Sequence, residues 1–252
     1  MMFIRFKSNE KVSYGILEGT TISQIKGDIF ESDYSVTEEK YELENVSLLA
    51  PCEPTKVVCV GLNYKDHAEE VNLDLPENPL LFLKPNTSVI GPNDDVVYPK
   101  QSQQIDYEAE LAIVIGKKAK NVPSSEVSDY ILGFTCANDV TARDIQFGDG
   151  QWTRGKSFDT FCPLGPGIVT ELNFEDSKIE LEVNDEVKQS SNLNQLIFKI
   201  DHLVSYISEV MTLLPGDVIL TGTPQGVGPV LPGDNMKVSI EGIGKLENQL
   251  ID

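Results

Sequence analysis

The sequence predicts a mainly β fold with some α, and three observations carry that prediction. Short strand-like runs recur along all 252 residues, a single long amphipathic helix stands out, and strands and helices do not alternate as they do in βαβ sheets. No internal repeat or low-complexity tract breaks the pattern.

Residues 1–41 alternate strand-like pieces, 2–6 and 13–17, with turn residues and run into the charged stretch 38–44, as a small N-terminal β-rich unit would. Pro51 and Pro54 then punctuate the chain. A boundary near residue 50 gives an N-terminal unit, 1–50, and a catalytic unit, 51–252. Residues 56–60, ending at Gly61, read as a buried strand. Residues 63–71 read as a short helix that Pro76 and Pro79 keep from continuing, and 80–84 as a strand.

In 105–115 a period of two puts Asp106, Glu108, Glu110, Ala112 and Val114 on one face and Tyr107, Ala109, Leu111, Ile113 and Ile115 on the other. The apolar second half marks this strand as central and buried, so its carboxylates need a compensating charge. Ser124 opens a short helix to about residue 132, and 133–139 is strand-like. Thr141 with Asp144 makes a weak capping-box start to a helix holding Ile145 and Gln146. A glycine-rich loop, 148–155, carries the sole tryptophan, Trp152, and leads to Lys156. The long helix covers about 201–213, with Leu203, Val204, Ile207, Val210 and Met211 at core spacing and Pro215 and Gly216 ending it. Residues 217–221, 235–241 and 245–250 close the chain as strands.

Forty acidic residues against 20 basic ones give a net charge of −20. Such a field repels phosphate backbones and anionic lipid, and no basic patch offsets it, which argues against nucleic-acid and membrane-surface roles. No apolar run reaches the roughly 18–20 residues of a membrane span, and residues 1–7 lack the order of a signal peptide. Cys52, Cys59, Cys136 and Cys162 form no Cys-x-x-Cys pair, so they read as reduced thiols of a soluble cytoplasmic protein, and their spacing argues against a thiolate zinc site.

Three groupings could carry chemistry. Glu108 and Glu110 share a strand face, and Asp139 ends another apolar strand. Carboxylates forced together would be relieved by protonation or by a cation, and oxygen ligands favour Mg²⁺ or Mn²⁺. Spacing alone leaves open that the two glutamates face solvent and never meet Asp139. His67 and Glu70, at i and i+3, fit a hydrogen-bonded general-base pair or an ordinary surface pair. Lys84, Arg143, Gln146 and Lys156 fit a positive pocket for an organic acid or routine salt bridging. Two glycine-rich stretches, 222–228 and 148–155, lack the phosphate-loop and dinucleotide signatures, and 148–155 reads as a flexible loop.

Taken together, Val60-Gly-Leu-Asn-Tyr64 with His67 and Glu70, Leu81-Phe-Leu-Lys-Pro85, Tyr107-Glu-Ala-Glu-Leu111, Asn138-Asp-Val-Thr-Ala-Arg-Asp144, Lys156-Ser-Phe-Asp159 and Leu220-Thr-Gly-Thr-Pro224 resemble the fumarylacetoacetate hydrolase family. The resemblance covers about 56–230. It implies a mixed β-sandwich roll and a homodimer, with Mg²⁺ or Mn²⁺ held by Glu108, Glu110 and Asp139. It further implies a His67–Glu70 dyad that activates water on a lid, Lys156 as the site cation, and Lys84, Arg143, Gln146 and Thr223 lining the substrate pocket. The chain is too short for the large N-terminal domain of true fumarylacetoacetases, and Asp106 does not clearly supply their additional aspartate ligand. The pattern instead resembles the branch of acylpyruvases, oxaloacetate decarboxylases and hydroxymuconate isomerase-decarboxylases. The expected activity is hydrolysis or decarboxylation of small 2-oxo acids through a metal-stabilised enolate. The alternative is isomerisation or decarboxylation of diacids of the 2-hydroxyhepta-2,4-diene-1,7-dioate or 5-carboxymethyl-2-hydroxymuconate type.

Overall fold

A computed structural model describes residues 1–31, 33–70 and 74–252. Mainly β with a few short helices, it is built on a large mixed sheet. Its strands run in the order Ser35–Glu42, Thr21–Lys26, Lys11–Glu18, Met2–Ser8, Cys162–Val169, Ile131–Asn138, Ala109–Ile115, Val218–Leu220, Val57–Gly61 and Leu80–Lys84. The strands of the first 50 residues extend this sheet, since Met2 pairs with Val169 and Phe3 with Ile168. A second sheet, Glu186–Asn192, Lys178–Val183, Asn235–Ile240, Gly244–Ile251 and Val96–Val97, packs across the core. A small third sheet joins Thr141–Ala142, Ile105–Tyr107 and Gly228–Val230.

The strand Ala109–Ile115 is buried along its whole length because apolar layers cover both faces. Leu111, Ile113 and Ile115 meet Leu181, Val238 and Leu246 of the second sheet, while Ala112 and Val114 pack with Val57, Cys59 and Leu220. The strand read as continuous over 105–115 is in fact interrupted at Glu108, and residues 105–107 belong to the small sheet. The break has a local cause. The Glu108 and Ala109 amides are taken by side chains, Asn138 Oδ1 and Gln189 Oε1, instead of by a neighbouring strand.

The long helix is Ile200–Val210, burying Leu203, Val204 and Ile207 as its spacing predicts. Residues 124–130 form a 3₁₀ helix. The capping box at Thr141 is absent: the next helix, Arg143–Asp149, has no side-chain cap, because Thr141 Oγ1 turns to the Asp139 carbonyl and Asp144 accepts from Ser102 and the Gln103 amide. The expected flexible loop at 148–155 is largely helical, with Gly150 in the left-handed conformation ending one helix and Thr153–Lys156 forming another. The short helix near His67 is Lys65–Glu70, and Val71, its expected last residue, lies outside the described residues. No helix among the described residues is long and apolar enough to cross a membrane.

Candidate active site

The interruption at Glu108 is what brings the carboxylates together. Glu110 projects from the buried strand, Glu108 from the break just before it, and Asp139 from the residue after the neighbouring strand Ile131–Asn138. Ala109 and Asn138 are direct cross-strand partners, and the Asp139 amide donates to the Glu108 carbonyl at 2.9 Å. One carboxylate oxygen from each of the three lies within 4.8 Å of the others, and all three residues are buried.

Three cations answer this concentrated charge. Lys156 Nζ donates to Glu108 Oε2 at 2.9 Å and to Asp139 Oδ2 at 2.7 Å. Lys84 Nζ donates to Asp139 Oδ1 at 2.5 Å and to the Val140 carbonyl at 3.0 Å. Arg143 spreads its guanidinium over Asp106, Glu108 and Gln146 at 2.7, 2.5 and 2.6 Å. Burial alone would push Glu108 up, yet Lys156 and Arg143 hold it down at about 2. Burial would likewise drive the Lys156 ammonium to deprotonate, but Asp139 and Glu108 keep its pKa above the ordinary value.

Glu110 is treated differently. Its only described donor is the Gly222 amide, at 2.6 Å to Oε2, and burial with Asp139 and Glu108 beside it lifts its pKa well above normal. A buried carboxylate without a cation of its own, facing two others, fits a hard divalent ion held by oxygen donors. Glu108, Glu110 and Asp139 are therefore the residues that could hold Mg²⁺ or Mn²⁺. The four thiols are fully buried, and burial raises their pKa values, Cys52, Cys136 and Cys162 to about 12, so they are poor ligands and nucleophiles.

The cluster opens into a cavity of about 520 Å³ that is also lined by His67, Glu70, Arg143, Gln146, Lys156 and Thr223. His67 Nδ1 lies 3.0 Å from Glu70 Oε2. In the neutral imidazole tautomer that donates from Nδ1 to this carboxylate, Nε2 is the nitrogen left to accept a proton. The Glu70 carboxylate also accepts the Gly226 amide at 3.1 Å. Phe82 and Trp152 meet edge to face, with centroids 5.3 Å apart, on the apolar side of the cavity. A second cavity of about 490 Å³, among Val127, Phe134, Phe174 and Leu193, contains no histidine and none of the clustered carboxylates.

The structure thus gathers nine of the ten residues that the sequence singles out. Lys84 is the exception. Expected on the pocket wall, it is sealed behind Asp139 with a fully buried side chain, where it can orient that carboxylate but not touch a ligand in the cavity. Asp106, whose role the motifs leave open, has both oxygens engaged, one by Arg143 and one by Gln104 Nε2.

Other contributors escape a reading of the sequence. Gln189, buried on the second sheet, reaches the amide between the two glutamates, and Ser191, two residues on, reaches Asp66. Both lie in the polar stretch 186–192, where nothing in the spacing marks a site residue. In the glycine-rich 222–228 loop, the Gly222 and Gly226 amides serve Glu110 and Glu70.

Fold and cavity together define a class: a mainly β enzyme with carboxylates, buried cations and a histidine–glutamate pair converging on one pocket. The chain belongs to the fumarylacetoacetate hydrolase family. Residues 56–251 match the family model described as fumarylacetoacetate (FAA) hydrolase C-terminal, and residues 1–51 match the model described as Rv2993c-like, N-terminal. The chain is 47% identical over 218 residues to the oxaloacetate tautomerase Fahd2a, mitochondrial, of Rattus norvegicus, covering 82% of this chain and 70% of the rat protein. The solved 2-hydroxyhepta-2,4-diene-1,7-dioate isomerase of Mycobacterium marinum superposes with a TM-score of 0.93 at 44% identity, over 100% of this chain and 98% of that one. The 5-carboxymethyl-2-hydroxymuconate delta-isomerase of Mycobacterium smegmatis gives 0.94 at 45%, over 100% and 99%. These neighbours share the family fold from end to end.

Proposed function

We propose that this chain is an Mg²⁺- or Mn²⁺-dependent enzyme of small 2-oxo acids or dicarboxylates, working as a homodimer, whose central step is proton movement on the carbon beside the keto group. The observation that carries the proposal is Glu110, a buried carboxylate without a cation of its own, next to Glu108 and Asp139 at the floor of a cavity with acid–base groups. A divalent ion held by these three would polarise a 2-oxo acid's keto oxygen and so lower the cost of enolisation.

The remaining work falls to the chain's own residues. Lys156, fixed between Glu108 and Asp139 and kept charged, steadies negative charge growing on the substrate oxygen. Arg143 is held by Asp106 and Glu108 and, with Gln146, orients the substrate carboxylate; Thr223 adds a hydroxyl to the cavity lining. Phe82 and Trp152 exclude water from the apolar side. His67, backed by Glu70, takes or returns a proton at Nε2.

Keto–enol isomerisation of a 2-oxo diacid is the primary reading, and it accords with the tautomerase and isomerase names of the relatives. Hydrolysis of an acylpyruvate or decarboxylation of oxaloacetate is a second reading. The His67–Glu70 hydrogen bond favours the hydrolytic form, because such a pair can also deprotonate a water.

The test follows the ultraviolet absorbance of the enol of oxaloacetate and of acetylpyruvate, with Mg²⁺ and then with chelator, together with product analysis. Isomerisation predicts Mg²⁺-dependent loss of the oxaloacetate enol, faster than in buffer, with oxaloacetate conserved. Pyruvate and acetate from acetylpyruvate would establish hydrolysis, and His67→Ala should then cost about 10²–10⁴-fold. Enol loss at the buffer rate for both compounds, with no product formed, would overturn the proposal.

A further inference from the structure

We infer that Gln189 and Ser191, two residues apart on strand Glu186–Asn192, are positioning residues that hold the carboxylate cluster and the His67 helix in one register. The inference rests on the functional reading above and adds to it the device that sets the spacing between its two halves.

The geometry begins at the strand break. Gln189 is almost fully buried, and its Oε1 accepts the Ala109 amide at 2.8 Å. Ala109 lies between Glu108 and Glu110, so this bond fixes the backbone that aims both carboxylates. The other end of the same side chain faces the loop after strand Val218–Leu220. Its Nε2 donates to Thr223 Oγ1 and to the Pro224 carbonyl, each at 2.9 Å. One amide thereby joins the break in the large sheet to the loop that carries Thr223, from a strand belonging to the other sheet.

The loop continues the connection. Gly226 has φ +89°, and a Cβ there would sit 2.3 Å from the Lys188 carbonyl oxygen, so only glycine lets the loop press this close to the strand. From that position its amide donates to Glu70, the partner of His67. Ser191 makes the second tie: its hydroxyl donates to Asp66 Oδ2, while Asp66 Oδ1 accepts the His67 amide at 2.7 Å. The short helix Lys65–Glu70, only six residues long, is therefore held near its start by the strand, through Ser191 and Asp66, and at its end by the loop pressed against that strand, through Gly226 and Glu70. Alternate residues of a strand point to the same side, which is why positions 189 and 191 reach the site together.

The distinguishing test rests first on two variants and on readouts besides turnover, Mn²⁺ affinity and amide hydrogen exchange. Gln189→Leu keeps the volume but leaves the Ala109 amide unpaired; the affinity of metal-free protein for Mn²⁺, read by calorimetry, should fall about 10–100-fold. Ser191→Ala should leave Mn²⁺ affinity at the wild-type value, speed amide hydrogen exchange of residues 65–70, and lower kcat more than it raises KM. A purely structural role predicts instead a lower melting temperature with unchanged Mn²⁺ affinity for Gln189→Leu, or unchanged exchange at 65–70 for Ser191→Ala, and either result overturns the inference. Absence of Mn²⁺ binding by the wild-type protein would refute the functional reading, while hydrogen exchange in Ser191→Ala would still decide the positioning role of the strand. If Gln189→Leu does not fold, Gln189→Glu, which keeps the acceptor for Ala109 and loses the donor to the loop, must raise KM for the inference to stand.

Discussion

Two buried carboxylate sites flank the strand Val218–Leu220, a lone aspartate and a cluster, and they are partnered in opposite ways. At its start, Asp217 accepts from the amides of Thr55, Lys56 and Leu214 and from the Thr55 hydroxyl, and forms an ion pair with Lys56. One negative charge meets one positive charge and a full set of donors, so the Asp217 site fastens the segment after residue 50 to the sheet. Past the strand's other end, the Gly222 amide is the single described donor to Glu110. There the four carboxylates Asp106, Glu108, Glu110 and Asp139 face the three cations Lys84, Lys156 and Arg143. The contrast teaches how to tell the two kinds of buried charge apart. A satisfied carboxylate is a fastening, whereas one left short of positive charge beside a cavity is poised to take a ligand.

The sharpest way to break this comparison is to neutralise the unsatisfied member. Glu110→Gln should reduce turnover about 10³-fold or more, since the loss of a cation site removes several kcal/mol of stabilisation. It should not lower the melting temperature of the metal-free protein, because a like-charge repulsion disappears with the carboxylate. The satisfied member should behave in the reverse manner. Asp217→Ala leaves Lys56 and three amides without their acceptor, so denaturant titration should show a loss of about 3–5 kcal/mol, with turnover per folded molecule unchanged.

Lys84 sits between these extremes, buried like the Asp217 site yet bonded to a proposed ligand. Lys84→Met should weaken Mn²⁺ binding about 10–100-fold by calorimetry, in line with loss of a group that orients a metal-bound carboxylate. The smallest effect belongs to Phe147, which is 75% exposed with the Arg143 guanidinium 5.8 Å above its ring. Phe147→Ala should change stability by less than about 0.5 kcal/mol and raise KM only a few fold.

Much of this site can be read from the sequence because its chemistry is local. Spacing puts Glu108 and Glu110 on one strand face and His67 and Glu70 one helical turn apart, and the resemblance to the fumarylacetoacetate hydrolase family, not spacing alone, chooses the functional reading of each pair. The apolar flanks of Ala109–Ile115 likewise mark a strand buried on both faces. What escapes is everything set by contacts between distant segments. Nothing near Lys84 says that its ammonium will point inward to Asp139 and not into the pocket. Thr141 and Asp144 carry the spacing of a capping box, but a buried carbonyl and the Ser102 turn are better partners for them. Gln189 and Ser191 sit in a polar stretch whose role appears only when the second sheet is laid against the first.

The most direct test of the central claim is calorimetric titration of metal-free protein with Mn²⁺, wild type beside Glu110→Gln. The account predicts one ion bound per chain in the wild type and no measurable binding in the variant, with both proteins equally folded. Equal binding by the two, or none by the wild type, would contradict it and return the carboxylate cluster to the same structural standing as Asp217.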